Sequence, residues 1–384
     1  GTAVLRGDIN SKNLHYFYLI DLTVERPGDA VHFELGDHIL LRGVTLRGTN
    51  IAESHETLKV NQSKYLYIED SDISGANDNA IDFVAVQYGH VIRNKIHQAE
   101  DWCIYTKGGS ADIRIEGNEI YDCGVGGYVA GQGTGFEFMS SPWLHYEAYD
   151  IKFVNNIIHD TGVAGMGVNG GYNILLAHNT LYRVGSRDHL VEFNLGRRGC
   201  DGMTATCATN QRAGGWGNVG SEFQYIPNKH VYVFNNLIYN PSGYVSPYHF
   251  QVPGPTTPPA GTNLTGPQYP DTDLIIRGNM IWNGSNDIGF DGGCASTNPT
   301  CNETLVRAQN RINSIQPQLI SPATGDMRPI AGGNVLQSGI AVAIPSFPGG
   351  DMPSTPRAPA GNLVNLVSTD RAGIVRTALY PGAY

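Results

Sequence analysis

The chain has 384 residues, of which 41% are hydrophobic and 16% are charged, and it contains 48 glycines and 20 tyrosines. This composition is typical of a folded, β-rich protein with many tight turns, and it excludes a disordered or mainly helical chain. Because 25 basic and 35 acidic residues leave a formal net charge of −10, we expect no nucleic-acid partner, and a polyanionic ligand needs a local basic patch.

A short motif recurs along the chain, in which a β-branched or aliphatic run ends in Asn-x-Ile or Asn-x-Leu. Its asparagines are Asn94, Asn118, Asn156, Asn179, Asn236 and Asn279. The spacing is 24 residues from Asn94 to Asn118 and 23 from Asn156 to Asn179. Ser71 and Val44 continue the register towards the N-terminus. One repeat is therefore about 23 residues long.

A repeat of this length leaves no room for helices, so each repeat is predicted to form one coil of three short strands separated by turns. Successive coils stack at about 4.8 Å in parallel sheets. An asparagine at the same turn of every coil can bond to the backbone above and below it. The predicted fold class is all-β, a single right-handed parallel β-helix; a leucine-rich repeat is disfavoured because its leucine spacing and helical arc are missing.

Three repeats are longer than the others, and they place insertions near residues 124–150, 197–228 and 253–270. Insertions on a solenoid usually collect on one face, where they build a site. The β-helix is predicted over residues 1–300. Residues 301–384, which are rich in proline and glycine, are predicted to form a C-terminal cap and an irregular wrap of the same domain.

The six cysteines indicate an oxidising compartment. Cys200 and Cys207, and likewise Cys294 and Cys301, lie seven residues apart and are predicted to form local disulfides. Cys103 and Cys123 form either a third disulfide or a pair of buried thiols. No apolar run is long enough to span a membrane, and the chain begins without a signal peptide, as expected of a processed exported protein.

One strand of each coil carries most of the polar residues that could take part in catalysis or binding. When the hydrophobic positions of these strands are turned inward, the outward ladder is Lys59, Asp82, Tyr105, Glu137, Gly167, Glu192 and Gln251. The next outward positions hold Lys107, Asn169 and Asn194. This polar strip beside the insertions is the candidate groove.

The coil repeat over roughly residues 15–290, the segment EDWCIYTKGGS and the closing YPGAY resemble the right-handed β-helix polysaccharide lyases of the pectate lyase and chondroitinase B type. That superfamily also contains hydrolases, epimerases, phage tailspikes and adhesins. In its lyases a Lys or Arg on the parallel sheet removes the C5 proton of a uronic acid, while calcium or another cation neutralises the carboxylate. The resemblance implies a secreted or cell-surface bacterial lyase of an acidic polysaccharide, with Lys107 as the base.

The residues that surround Lys107 suit such chemistry, because a proton alpha to a carboxylate is removable only when the carboxylate charge is offset. The predicted catalytic residues are Lys107, Tyr105, Glu137 and Asp82. Calcium needs several oxygen ligands, and the candidates are Asp82, Glu100, Asp101 and Glu137. No dense aspartate cluster is present, so a metal-free version that uses Arg197, Arg198, His145 and Tyr105 remains open. Lys107 is alternatively a solvated turn residue.

The insertions supply the candidate substrate-binding residues, which are Arg197, Arg198, Trp143, His145, Glu192, Asn194 and Trp216. Aromatic side chains can stack on sugar rings, but in long loops they also fill small cores beneath the loop. The two arginines either bind substrate or anchor the loop that carries Cys200, and lone histidines are more often packed than functional.

Three other functions compete with the lyase. An inverting glycoside hydrolase could use Asp82 and Glu137, which are expected two coils, or roughly 10 Å, apart. A C5 epimerase would share the proton abstraction. A non-catalytic carbohydrate-binding or adhesive surface protein needs only a rigid solenoid with aromatic loops.

Overall fold

The computed structural model describes residues 3–49, 55–220, 223–290, 293–348 and 365–384. Within them the chain winds as a parallel β-helix whose coils each contribute one strand to three long sheets. The first four coils hold β1 Ala3–Arg6, β2 Ile9–Lys12, β3 His15–Ile20, β4 Leu22–Arg26, β5 Val31–Glu34, β6 Asp37–Arg42, β7 Thr45–Gly48, β8 Leu58–Asn61, β9 Lys64–Glu69, β10 Asp72–Ala76, β11 Ile81–Val84 and β12 Gln87–Ile92.

Coils five to seven carry the first insertion. They hold β13 Lys95–Ala99, β14 Trp102–Lys107, β15 Ser110–Glu116, β16 Glu119–Cys123, β17 Gly126–Gly131, β18 Gly133–Gly135, a 3₁₀ helix Phe136–Phe138, β19 Ala148–Val154, β20 Ile157–Thr161, β21 Ala164–Asn169 and β22 Gly171–Ala177.

The remaining coils carry the two helices and the cap. They hold β23 Thr180–Tyr182, β24 His189–Asn194, β25 Gly196–Gly199, α1 Thr204–Ala213, β26 Gln224–Ile226, β27 Lys229–Phe234, β28 Leu237–Asn240, β29 Tyr248–Gln251, β30 Ile275–Arg277, β31 Met280–Asn283, α2 Glu303–Gln309, β32 Arg311–Ile312, β33 Leu319–Ser321, a second 3₁₀ helix Pro322–Thr324 and β34 Asp326–Pro329.

The three long sheets are named A, B and C in the order in which the chain visits them. Sheet A runs from β1 to β32, sheet B from β2 to β29 and sheet C from β3 to β30, and all their pairings are parallel. Inward side chains of the three sheets form one continuous buried core along the solenoid. The predicted all-β solenoid is thus confirmed.

The recurrent asparagines form a buried ladder, as the repeat predicts. Asn118 Nδ2 donates to Asn156 Oδ1 at 2.9 Å, and Asn156 Nδ2 donates to Asn179 Oδ1 at 3.1 Å. Each amide also donates to a carbonyl of an earlier coil, as Asn156 does to Ile115. The ladder continues to Asn310. These asparagines satisfy buried backbone groups at a turn, which is an architectural role.

Sheet B differs from the sequence-based register at coil six. The strand that pairs with β14 and β21 is β17, so Val129 stands on the outward ladder where Glu137 was expected. The Gly-rich sequence of β17 was interpreted as part of an insertion. Glycine is required there because a Cβ at Gly126 would lie 2.4 Å from the Trp102 ring.

Three disulfides join the six cysteines: Cys103–Cys123, Cys200–Cys207 and Cys294–Cys301. Both local pairs are as predicted, and the open question about Cys103 and Cys123 resolves as a bridge between coils five and six.

The insertions build a small sheet, named sheet D, from β18, β25 and β26 beside the outer face of sheet B. On other faces the C-terminal residues pack on the solenoid, where Gly382 N donates to Asn235 O at 2.8 Å. In the described part of the chain, neither helix combines the length and the apolar character needed to cross a membrane.

Candidate functional site

The outer face of sheet B forms a polar groove beneath sheet D. Its ladder follows the predicted register, with Val129 in place of Glu137: Lys59, Asp82, Tyr105, Val129, Gly167, Glu192 and Gln251. The strand-end positions of Lys107, Asn169 and Asn194 are also confirmed. Two clefts lie along this face and share Gly133 of β18.

The first cleft, of about 220 Å³, contains a buried carboxylate between two lysines. Asp82 is 1% exposed; its Oδ2 lies 3.3 Å from Lys59 Nζ and its Oδ1 lies 3.3 Å from Lys107 Nζ. Lys59 Nζ also contacts Glu56 Oε1 at 2.5 Å. These residues converge because they stand at neighbouring positions of β8, β11 and β14 in one parallel register.

The two lysines differ in how firmly they are held. Burial disfavours the charge of Lys59, but Asp82 and Glu56 outweigh this cost and raise the pKa of Lys59. Among the described residues Lys107 contacts one carboxylate, that of Asp82, and its contact with Asp82 Oδ1 lacks hydrogen-bond geometry. Lys59 therefore keeps Asp82 neutralised, whereas Lys107 can leave its ion pair.

Tyr105 lies beside Lys107 in the floor of the groove. Lys107 Nζ is 4.5 Å from the centre of the Tyr105 ring, and Gln132 Nε2 donates to the phenolic oxygen at 2.8 Å. Burial, assisted by the charges of Asp101 and Asp82, raises the pKa of Tyr105 well above its usual value. The phenol therefore stays protonated at neutral pH and can act as a proton donor.

Asp101 and Asp78 form a carboxyl pair in the segments that lead into β14 and β11, two neighbouring strands of sheet B. Burial and the neighbouring Asp78, with which Asp101 shares a hydrogen bond, raise the pKa of Asp101 to about 6. Asp101 therefore keeps its proton at mildly acidic pH and is a second candidate proton donor.

The second cleft, of about 530 Å³, carries polar groups suited to sugar hydroxyls and to one anionic group. Asn169, Asn194 and the exposed Arg197 line it, and the Arg197 guanidinium lies 5.6 Å from the Phe223 ring. Asn169 Nδ2 donates to Glu192 Oε1 at 2.8 Å. His189 contacts the other Glu192 oxygen at 3.0 Å, so this carboxylate is fixed in place.

Four of the predicted binding residues lie in the core of the insertions instead of the groove. Arg198 is fully buried, 3.3 Å from Glu147 Oε1, and donates to Tyr146 O at 2.8 Å. His145 stacks on Trp216 at 4.2 Å, and burial with the nearby Arg198 charge lowers its pKa to about 4.

Trp143 and Trp216 pack around Phe136 and Met139 in a small cluster of the insertions. The sequence could not distinguish binding from packing for these side chains, since both place aromatic residues in long loops. Their predicted contact with substrate is not supported by where they lie.

The four proposed calcium ligands do not converge. Glu137 turns into the insertion, where its Oε1 accepts hydrogen bonds from Asp201 N at 2.8 Å and Met203 N at 3.1 Å. Glu100 is exposed and lines a separate cleft at the corner of sheets A and B. Within the described ranges, Glu137 groups only with Cys200 and Cys207, whose thiols are oxidised. The predicted ligand set therefore does not fit calcium.

Sequence reasoning did not find Gln132. It follows β17 directly, in the Gly-rich stretch interpreted as an insertion, and it contacts both Lys107 and Tyr105. The signal that could have found it is its position one coil after Lys107, 25 residues later.

Solved structures with a similar fold are distant in sequence. An alginate lyase from Paenibacillus sp. str. FPU-7 is 13% identical over 71% of this chain and 87% of its own, with a TM-score of 0.42. A surface adhesin of Streptococcus pneumoniae is 10% identical over 73% of this chain and 64% of its own (TM-score 0.45). The A-module of a mannuronan C-5 epimerase from Azotobacter vinelandii is 12% identical over 82% and 90% of the two chains (TM-score 0.34).

No curated protein matches the sequence. The family described as right handed beta helix region matches residues 9–180, which include β2 to β22 and part of β23. The stacked parallel sheets extend the same architecture beyond this range. The chain is therefore a right-handed parallel β-helix protein, and over residues 9–180 it is similar to the family described as right handed beta helix region.

Proposed function

We propose that this protein cleaves a uronic-acid-containing polysaccharide by β-elimination in the groove on sheet B. The observation that carries the proposal is the position of Lys107, whose Nζ lies 3.3 Å from Asp82 Oδ1 and beside the protonated phenol of Tyr105. A long open groove suits a polymer, and Arg197 in the second cleft offers a cation to a sugar carboxylate.

The proposed reaction uses Lys107 and Tyr105 in opposite roles. Neutral Lys107 takes the C5 proton of the uronate, the C4–O bond breaks, and a C4–C5 double bond forms. The departing oxygen takes the proton of Tyr105. Deprotonation of Lys107 leaves Asp82 paired with Lys59, so no buried charge is left without a partner.

Three disulfides support a location outside the cytoplasm, because such bonds persist in oxidising compartments. We therefore place the proposed reaction at the cell surface or in the extracellular medium.

The test is the ultraviolet absorbance of the unsaturated product during incubation with alginate, pectate, glycosaminoglycans, glucuronans and neutral glycans. Absorbance should rise on a uronate polymer and should be lost in Lys107→Ala. Lys95→Ala, an exposed lysine on sheet A of the same coil, is the matched control and should retain activity. Binding without any product would instead support a carbohydrate-binding protein.

A glycoside hydrolase is the second candidate, and the raised pKa of Asp101 favours it. The pair predicted from sequence, Asp82 with Glu137, does not support it because Glu137 is bonded into the insertion. New reducing ends without unsaturated product, abolished in Asp101→Asn but retained in Lys107→Ala, would establish hydrolysis.

A further inference from the structure

Gln132 connects the parts of the groove that the proposed reaction uses. Its Oε1 accepts from Lys107 Nζ at 3.4 Å, and its Nε2 donates to the Tyr105 phenolic oxygen at 2.8 Å. Its backbone carbonyl accepts from Arg197 N at 2.9 Å, which ties it to the strand that carries the second cleft. The side chain is exposed and stands between the two clefts.

The donor end and the acceptor end of the Gln132 amide face different partners. Because Gln132 donates to the phenolic oxygen, the phenolic hydrogen must point elsewhere, and among the described residues no acceptor binds it. The acceptor end of the same amide faces Lys107 without adding a negative charge. A carboxylate here would accept from both groups, occupying the phenolic hydrogen and favouring the charged form of the lysine.

We infer that Gln132 is a positioning residue that presents Tyr105 as a proton donor and holds the Lys107 amine with an uncharged acceptor. The inference rests on the proposed function, because it assigns Gln132 a role in the reaction of Lys107 and Tyr105. It also makes a claim about the protonation of Lys107 that can be measured without turnover.

The decisive variant is Gln132→Glu, which keeps the shape of the side chain and replaces the amide by an acid. Gln98→Glu is the matched control, since Gln98 is an exposed glutamine of the neighbouring coil on sheet A. Labelling of Lys107 by an amine-acylating reagent across pH, followed by peptide mass spectrometry, reports the neutral amine. We expect about tenfold less Lys107 labelling at a given pH in Gln132→Glu, and no change in Gln98→Glu.

The kinetic readout is the pH profile on the polymer that the wild type cleaves. In Gln132→Glu, kcat should fall and its pH optimum should move to higher pH, with KM little changed. Gln132→Ala should lower kcat without moving the optimum upward, which separates added charge from lost contact. Circular dichroism confirms that both variants fold.

Unchanged Lys107 labelling and an unchanged pH profile in Gln132→Glu would overturn the inference and leave the lyase proposal standing. If the wild type cleaves no polymer, the lyase proposal fails, and the labelling experiment still decides whether Gln132 controls Lys107. The two failures are therefore distinguishable.

Discussion

Asp112 and Asp150 occupy matching positions of β15 and β19, neighbouring strands of sheet C, and both have left-handed backbone. Burial, together with the charge of Asp150 and a hydrogen bond to it, raises the pKa of Asp112 from 3.8 to about 7. Between these pH values the folded chain keeps a proton that the unfolded chain releases. The free energy of unfolding therefore falls as pH rises through this window.

Asp112→Asn removes this ionisation and tolerates the left-handed backbone. We expect it to raise the free energy of unfolding at pH 8 by about 1–2 kcal/mol and to change it little at pH 4. Urea unfolding at both pH values measures the difference. Asp122→Asn is the control, because Asp122 has the same backbone conformation but is exposed. Equal effects of the two substitutions at pH 8 would contradict the assignment.

The carboxylates proposed as calcium ligands lie apart, with Glu137 bonded into the insertion and Glu100 facing another cleft. We therefore expect activity on the preferred polymer to persist after dialysis against a chelator. The initial rate with and without added calcium measures this. A loss of at least tenfold that calcium restores would show that a metal site forms from other groups or with substrate.

At the level of elements, the insertion between β18 and β19 is held to β25 by the buried Arg198–Glu147 ion pair. Arg198→Met leaves Glu147 charged and buried, and should lower the free energy of unfolding by about 3 kcal/mol. Arg197→Gln, one residue earlier and exposed, should cost less than about 0.5 kcal/mol but weaken binding of acidic oligosaccharides. Chemical unfolding measures the change in stability, and calorimetry measures the binding of acidic oligosaccharides. A strong binding defect without destabilisation in Arg198→Met would instead support the predicted binding role of Arg198.

The asparagine ladder stabilises the turn between sheets C and A. Asn156→Ala removes acceptors for Asn118 and a donor to Ile115, which leaves buried backbone groups without partners. The expected cost is about 2–3 kcal/mol. Asn10→Ala on the exposed first coil serves as the control and should be nearly neutral. A comparable loss in both variants, measured by thermal unfolding, would argue against a structural ladder.

For the whole molecule, the C-terminal residues act as a wrap over sheets A and C, away from the groove. Ala383 is fully buried and its N–H donates to Thr180 Oγ1 at 2.9 Å, while Arg376 donates to Asn155 at 2.9 Å. Deletion of residues 370–384 should lower the unfolding temperature by several degrees. Activity per folded molecule at low temperature should be retained; an unchanged unfolding temperature would mean that the wrap adds no stability.

The repeat, the three-strand coil, the asparagine ladder and most of the groove ladder could be predicted from the chain alone. Each of these depends on local information: the period of the repeat, the alternation of inward and outward residues along a strand, and the turn preference of asparagine. Lys107 and Asp82 are neighbours for the same reason. A repeat of 23 residues places Asp82 opposite Tyr105, and Lys107 is two residues further along the same strand.

Only the tertiary structure decided which residues of the long insertions face the groove. Arg197 and Arg198 are adjacent in sequence, yet one is exposed and the other is buried against Glu147. Likewise, β17 has few β-branched residues, and it is a strand because its glycine fits beneath Trp102 of the coil before it. Such choices depend on the packing of residues from different coils, which neither spacing nor residue type specifies.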